Sequence, residues 1–278
     1  MIHRRIRNVQ EDNGVSIYLP EQALSTSDRR EFAANARFED SLVGRPNEMI
    51  IFDDILFKAD FIKTFQKAEP LIHLAGDERI LELGAAHGWA SAILKRKWPE
   101  SYVVASDLVA DTIRHAERWE QMLGCRIDEK WAFNIRESPF ESGQFDRIFT
   151  FASFHHFGFS GDFRPALTEM NRLLVRGGRI VLLYEPSSPD YLYSFANRRV
   201  NQLRKIDGVD EDVLRLSHLR NVAADLGLTM RCDFFTEHDH RSSISSTLYY
   251  FALSKLPLLQ KLLVCTVNVT IKKPKSAS

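Results

Sequence analysis

The chain is poor in the features that mark several common protein classes. It holds 3 cysteines in 278 residues, Cys125, Cys232 and Cys265, with no CxxC pair among them. So sparse and odd a set gives no disulfide framework and points to a reducing, cytoplasmic setting. It lacks a charge excess, because 37 Lys+Arg balance 37 Asp+Glu. A general nucleic-acid binder normally carries a basic surplus, so no nucleic-acid partner is expected. It also lacks a clean membrane span: the most apolar region, Leu248 to Ile271, is broken by Lys255, Pro257, Gln260 and Lys261. The opening Met1-Ile-His-Arg-Arg has no apolar stretch of the kind a signal peptide needs. No internal repeat is visible, and only residues 273–278 read as a disordered tail.

What the chain does have is 44% hydrophobic residues, enough for a sizeable core. Apolar strand-like runs stand at Arg79–Leu83, Tyr102–Ser106, Arg126–Phe133, Phe145–Phe151 and Arg179–Tyr184. Helical patterns at Trp89–Trp98, Ala110–Met122 and Asp162–Leu174 separate them, as expected for βαβ units. The implied class is α/β, a mainly parallel sheet with helices on both faces. A helix at Val213–Leu226, ended by Gly227, and strand-like runs at Thr229–Glu237 and Leu263–Lys272 follow. The expected organisation is an N-terminal helical extension or lid at 1–75, with an amphipathic helix around Asn47–Gln66 carrying Ile51, Ile55, Ile62 and Phe65. A core at 76–272 follows it, with cap insertions at about 186–213 and 240–262.

The turn after the first core strand, RILELGAAHGW at 79–89, sets the ligand class. A dinucleotide fingerprint starting at Gly84 would need glycines at 86 and 89, where Ala86 and Trp89 stand, and no Gly-Lys-Ser/Thr follows for a P-loop. What remains is Glu82, Gly84 and Gly88 in the pattern E-x-G-x-x-x-G. Downstream come SDL at 106–108, with Asp107 23 residues past Gly84, then FNIRESPFESGQFD at 133–146 and TEMNRLLVRGGRIVLLYEP at 168–186. In that order these four segments resemble the class I S-adenosylmethionine-dependent methyltransferases over roughly residues 75–185. The chain departs from the family pattern at Ala86, Asn134 and Arg176, where Gly, Asp and Pro are usual.

The resemblance implies a Rossmann-like seven-stranded sheet and S-adenosyl-L-methionine as cofactor. It implies cofactor contacts from Glu82, Gly84, Ala85, Ala86, Gly88, Asp107, Leu108, Asn134 and Ile135. Within that set Asp107 would take the ribose hydroxyls, and the Asn134 amide oxygen would accept from the adenine amino group.

Methyl transfer to a hydroxyl also needs a proton acceptor. His155 and His156, in FASFHHF at 151–157, and Glu185 at the end of the fifth strand are the candidate bases. Tyr191, Tyr193, Arg198 and Arg199 mix aromatic faces with guanidinium forks that suit a glycan-like or anionic acceptor, or else form a solvated helix face. His238 and His240 fall on one face of an extended EHDH segment and could orient a substrate; no third ligand accompanies them, so no metal is expected. The expected function is methylation, at oxygen, of a small-molecule or glycan-like acceptor. The alternatives are RNA or protein methylation, or a catalytically degenerate cofactor-binding interaction protein. The run LYYFALSKLPLLQKL at 248–262 reads as buried in the cap; were it exposed, peripheral membrane contact and a lipid-linked acceptor would follow.

Overall fold

The computed structural model describes residues 2–6, 9–20, 29–30, 33, 60–158, 162–203, 212–238, 241 and 243–275. The chain begins with a hairpin of β1 (Gln10–Asp12) and β2 (Val15–Tyr18). Its turn is Asn13-Gly14, both at positive φ, the two-residue geometry that matches strand twist. The described part of the N-terminal extension is therefore not purely helical. Of the amphipathic helix expected around Asn47–Gln66, residues 47–59, with Ile51 and Ile55, lie outside the described residues. Ile62 and Phe65 fall in α1 (Phe61–Ala68), which buries Phe65 against the rings of Trp89, Phe149 and Phe151.

The core then alternates: β3 (Arg79–Leu83), α2 (Trp89–Lys97), β4 (Tyr102–Asp107), α3 (Ala110–Arg114), α4 (Ala116–Leu123), β5 (Glu129–Phe133), β6 (Phe145–Phe151), α5 (Arg164–Leu173) and β7 (Leu174–Ser188). The single helix expected at Ala110–Met122 is two, split at His115. Beyond β7 come α6 (Tyr193–Leu203), β8 (Leu214–Arg215), α7 (Leu216–Asp225), β9 (Thr229–Phe234), α8 (Ile244–Lys255), α9 (Pro257–Leu262) and β10 (Cys265–Lys272).

Among the described residues one sheet takes the order β1-β2-β5-β4-β3-β6-β7-β10-β9, with β8 on the end of β7. Its seven central strands, β5 through β9 in that order, are the expected Rossmann-like sheet; the hairpin and β8 extend it. Strands β5, β4, β3, β6 and β7 are mutually parallel, and β10 runs antiparallel to both β7 and β9. Period-two alternation sends Ile80, Val103, Phe149 and Val181 to the face covered by α1 to α4. Leu81, Val104, Ile148 and Ile180 go to the other face, under α5 and α7.

Residues 273–275 of the expected tail are held in place. Lys273 donates its backbone N–H to Gly178 O at 3.1 Å, and its Nζ to Asn171 O at 2.7 Å and Leu174 O at 2.8 Å. Residues 276–278 lie outside the described residues.

Gly88 shows why the motif loop must end in glycine. It adopts φ 69°, and a Cβ there would stand 2.5 Å from the Ala116 Cβ, so α2 could not approach α4. Gly88→Ala is expected to destabilise the fold by about 2–4 kcal/mol, combining left-handed strain with overpacking. Urea denaturation measures this, and an unchanged midpoint would refute the close approach.

Candidate active site

The parallel strands end together beside the point where the chain leaves β3 for β4 on one side and reaches β6 on the other, the switch at which open α/β sheets bind ligands. A cavity of about 540 Å³ lies there, within the range of small-molecule sites. Every expected cofactor contact except Gly88 lines it. Asp107, at the end of β4, fastens the motif loop: Oδ2 accepts the Ala86 N–H at 2.8 Å, and Oδ1 accepts the Val109 N–H at 3.0 Å. Desolvation raises the Asp107 pKa, and the backbone donors Val109, Ala86 and Leu108 oppose that rise.

Gly84 is required by its neighbour across the sheet, since a Cβ would meet Ser153 Oγ at 2.6 Å. Glu82 is buried below the loop, where the Ser91 hydroxyl donates to Oε2 at 2.5 Å. Burial pushes its carboxyl up to about 8, Ser91 works against this, and the Asp107 charge adds to it. His87, inside the motif, packs against the His115 ring, and desolvation holds its pKa down to about 3, so it stays neutral. Asn134 lies on the cavity wall, but its Oδ1 accepts the Arg136 N–H at 3.0 Å and Nε at 3.2 Å. That oxygen therefore caps the short turn Ile135–Glu137, the commonest use of Asn before a turn.

His155 and His156 sit on the turn Phe154–His156 after β6, and both line the cavity with ring centroids 4.1 Å apart. Glu185 does not line it. Fully buried, it accepts on Oε1 from Thr150 Oγ1 at 3.2 Å, Ser153 N at 3.1 Å and Phe154 N at 2.9 Å. On Oε2 it accepts from His155 N at 3.2 Å and pairs with His155 Nδ1 at 2.8 Å. Every other partner is a donor, so the ring proton belongs on Nδ1 and Nε2 is left as the acceptor. Glu185 thus fixes the tautomer of His155 and positions its ring.

The other expected acceptor contacts are not brought to the cavity. The Tyr191 hydroxyl donates to Leu262 O. Tyr193 donates to Asp212 at 2.8 Å, with the Arg215 guanidinium 4.6 Å over its ring. Arg198 and Arg199 are exposed on α6, whose inward positions are Ala196 and, four residues on, Val200. His238 packs edge-on to Phe251 at 5.2 Å, and His240 lies outside the described residues.

In their place stands an aromatic wall that the sequence did not reveal. Tyr184 stacks on Phe151 at 5.6 Å and 7°, and Phe61 meets both edge-on at 5.5 and 6.0 Å. Pro186, Val200 and Thr266 complete that side. The i,i+4 pair Phe61 and Phe65 was the one local hint, since Tyr184 and Thr266 reach the site only through pairing of β7 with β10. Three non-glycine residues at positive φ line the cavity: Ala86 (45°), Ala152 (50°) and Tyr184 (59°). Left-handed backbone costs an L-residue about 1–2 kcal/mol, and such strain gathers at functional sites.

A glycine loop after the first core strand, an acid at the tip of the next strand and a reversed strand beside β7 define a class I methyltransferase architecture. Comparison with known proteins agrees. Residues 80–178 match a family model described as a methyltransferase domain. Demethylmenaquinone methyltransferase of Thermus thermophilus is 30% identical over 142 residues, 51% of this chain and 62% of that protein. The protein of the same name from Deinococcus radiodurans is 30% identical over 128 residues, 45% of this chain and 50% of that protein. The chain thus spans less than two thirds of either relative's length. A geranyl diphosphate C-methyltransferase from Streptomyces coelicolor, solved with Mg2+, geranyl diphosphate and S-adenosyl-L-homocysteine, has the same fold, with TM-score 0.61 and 16% identity over 83% of this chain and 88% of that one. Residues 80–178 thus match a methyltransferase domain, set in a fold shared with a solved S-adenosyl-L-homocysteine-bound methyltransferase.

The Glu82 carboxyl makes stability depend on pH in a definite direction. Its folded pKa, about 8, lies above its ordinary value of 4.5, so its contribution is whole below about 4.5 and is lost as pH rises to about 8. Without added ligand, the melting temperature of Glu82→Gln is expected to fall less than that of the wild type across this window. Parallel curves would show that Glu82 ionises freely.

Proposed function

We propose that the protein transfers the methyl group of S-adenosylmethionine to a hydroxyl on a small, largely apolar acceptor, with His155 as the base. The observation that carries this reading is His155 on the cavity wall, with its Nδ1 held 2.8 Å from the buried Glu185 carboxylate behind it. The residues fit the cofactor: the motif loop, Asp107 and Ile135 all line the cavity, and the Asp107 carboxylate, already accepting from backbone N–H groups, stands at the tip of β4 where a ribose hydroxyl would also donate to it. When bound, S-adenosylmethionine supplies a methyl group already activated on a sulfonium.

The chain's own residues do the rest. The Asp107 carboxylate holds the loop and would accept from a sugar hydroxyl of the bound cofactor, and Glu82 would support the loop from below. The rings of Phe61, Phe151 and Tyr184 exclude water and present flat apolar surface to the acceptor. His155 Nε2 takes the hydroxyl proton, and Glu185 keeps Nδ1 protonated so that the ring charge which forms is stabilised. A His in this role contributes about 10²–10⁴-fold. A glycan acceptor loses its motive, because Tyr191, Tyr193, Arg198 and Arg199 lie off the cavity. An apolar acceptor is supported instead by the aromatic wall, and the relatives named for demethylmenaquinone and geranyl diphosphate also take small molecules.

Thermal shift with S-adenosylmethionine and S-adenosylhomocysteine tests the cofactor half. Ligand at about 100 times its dissociation constant stabilises a binder by about 2.7 kcal/mol, and Asp107→Ala is expected to abolish that response. His155→Ala is expected to keep the response and lose turnover on a phenolic or quinol acceptor by about 10²-fold or more. Full turnover in that variant would place the base elsewhere.

A further inference from the structure

Two consecutive helices leave an apolar face in water. Helix α8 carries Ile244, Leu248, Tyr249, Phe251 and Leu253 around its circumference, yet only Leu253 is buried, and α9 buries none of its residues. Ile244 is 82% exposed, Leu258 78% and Leu248 62%. A helix apolar all round is normally covered, and an exposed apolar patch on this scale marks an interaction surface. The segment is not loosely attached. Tyr249 donates to Val264 O at 2.7 Å, Tyr250 pairs with Thr266 Oγ1 at 2.8 Å, and the Arg241 guanidinium lies 3.5 Å over the Tyr250 ring.

Helix α6 adjoins this face. Tyr191, just before it, bonds to Leu262 at the end of α9, and the charge of Arg199 reaches Tyr249. From 191 to 203 and from 241 to 275 the chain has no Asp or Glu. The exposed charges on these helices are all basic: Arg198, Arg199, Lys255 and Lys261. Exposed Leu and Phe with basic residues alongside are the composition of a face that lies in a bilayer interface. No helix among the described residues is long and apolar enough to cross a membrane.

We propose that α8, α9 and the outer face of α6 form a docking surface for anionic lipid bilayers, holding the protein peripherally on a membrane. A second copy of the chain is the weaker occupant. A two-fold contact through this face would set these four cations against their own duplicates, with no carboxylate on these helices to offset them. Helix α6 also gives Val200 to the cavity wall, so the docking face and the site share one element. The proposal does not depend on the acceptor reading, because membrane binding is measured without turnover.

The test is co-sedimentation of the full chain with vesicles of phosphatidylcholine alone and of phosphatidylcholine with phosphatidylglycerol. Binding is expected to the anionic vesicles and to weaken with salt. Lys255→Gln and Lys261→Gln should each lower it about fivefold, the factor that corresponds to one basic residue near an anionic surface. Leu248→Glu with Leu258→Glu, at solvent-facing positions, should abolish it while leaving the melting temperature and the thermal response to S-adenosylhomocysteine intact. Absence of the protein from anionic vesicle pellets would overturn the proposal, as would binding indifferent to lipid charge. A vesicle-free dimer, seen by sedimentation velocity and dissolved by the two leucine substitutions, would assign the face to self-association instead.

Discussion

A carboxylate with no access to water governs the shape of the site. Glu185 follows the left-handed Tyr184 in β7, and its two oxygens collect donors from Thr150, Ser153, Phe154 and His155. A bare carboxylate at that depth would be costly, and so would three turn N–H groups without acceptors. Each need answers the other, which ties the tip of β6 to the tip of β7 and sets the plane of the His155 ring. The same tie brings Ser153 to within reach of Leu83 O, at 3.1 Å, so β3 and its motif loop are drawn into the arrangement.

Strain is distributed around this anchor. Ala86 follows β3, Ala152 follows β6 and Tyr184 sits at a register shift within β7, and each turns the backbone the wrong way for its side chain. Each is held by a bond from a neighbouring strand: Ala86 N–H by Asp107 at 2.8 Å, Ala152 N–H by Leu183 O at 2.8 Å, and Tyr184 N–H by Asn268 Oδ1 at 2.8 Å. The sheet thus bends its strand ends away from regular geometry and opens a space lined on one side by polar loop atoms and on the other by rings.

Much of the fold was legible, because buried parallel strands read as nearly unbroken apolar runs. Arg79–Leu83 and Phe145–Phe151 keep the boundaries expected from the sequence. The Asn13-Gly14 hairpin went unread because its strands, 3 and 4 residues long, are too short to show a period. Within the site, the loop, Asp107 and the two histidines were visible as local spacing. Glu185 was visible as a residue but not as the anchor of a turn, since its partners lie 30 to 35 residues away. Tyr184 could not be found at all: alternation along a strand assigns its side chain by parity, and a left-handed residue breaks that parity. The mixed aromatic and basic stretch after β7 misled for the opposite reason, since residue type suggested ligand contact while the helical turn faced those side chains outward.

Strand β10 carries a consequence for biogenesis. It lies between β7 and β9, buried along its length except at Lys272, and fills the gap between them. Until residues 265–272 have left the ribosome, a nascent chain holds two adjacent, unpaired strand edges with nothing to zip them. Cooperative closure of the domain must therefore wait for the end of this segment, and any truncation before Cys265 leaves a pair of open edges free to stick to other chains.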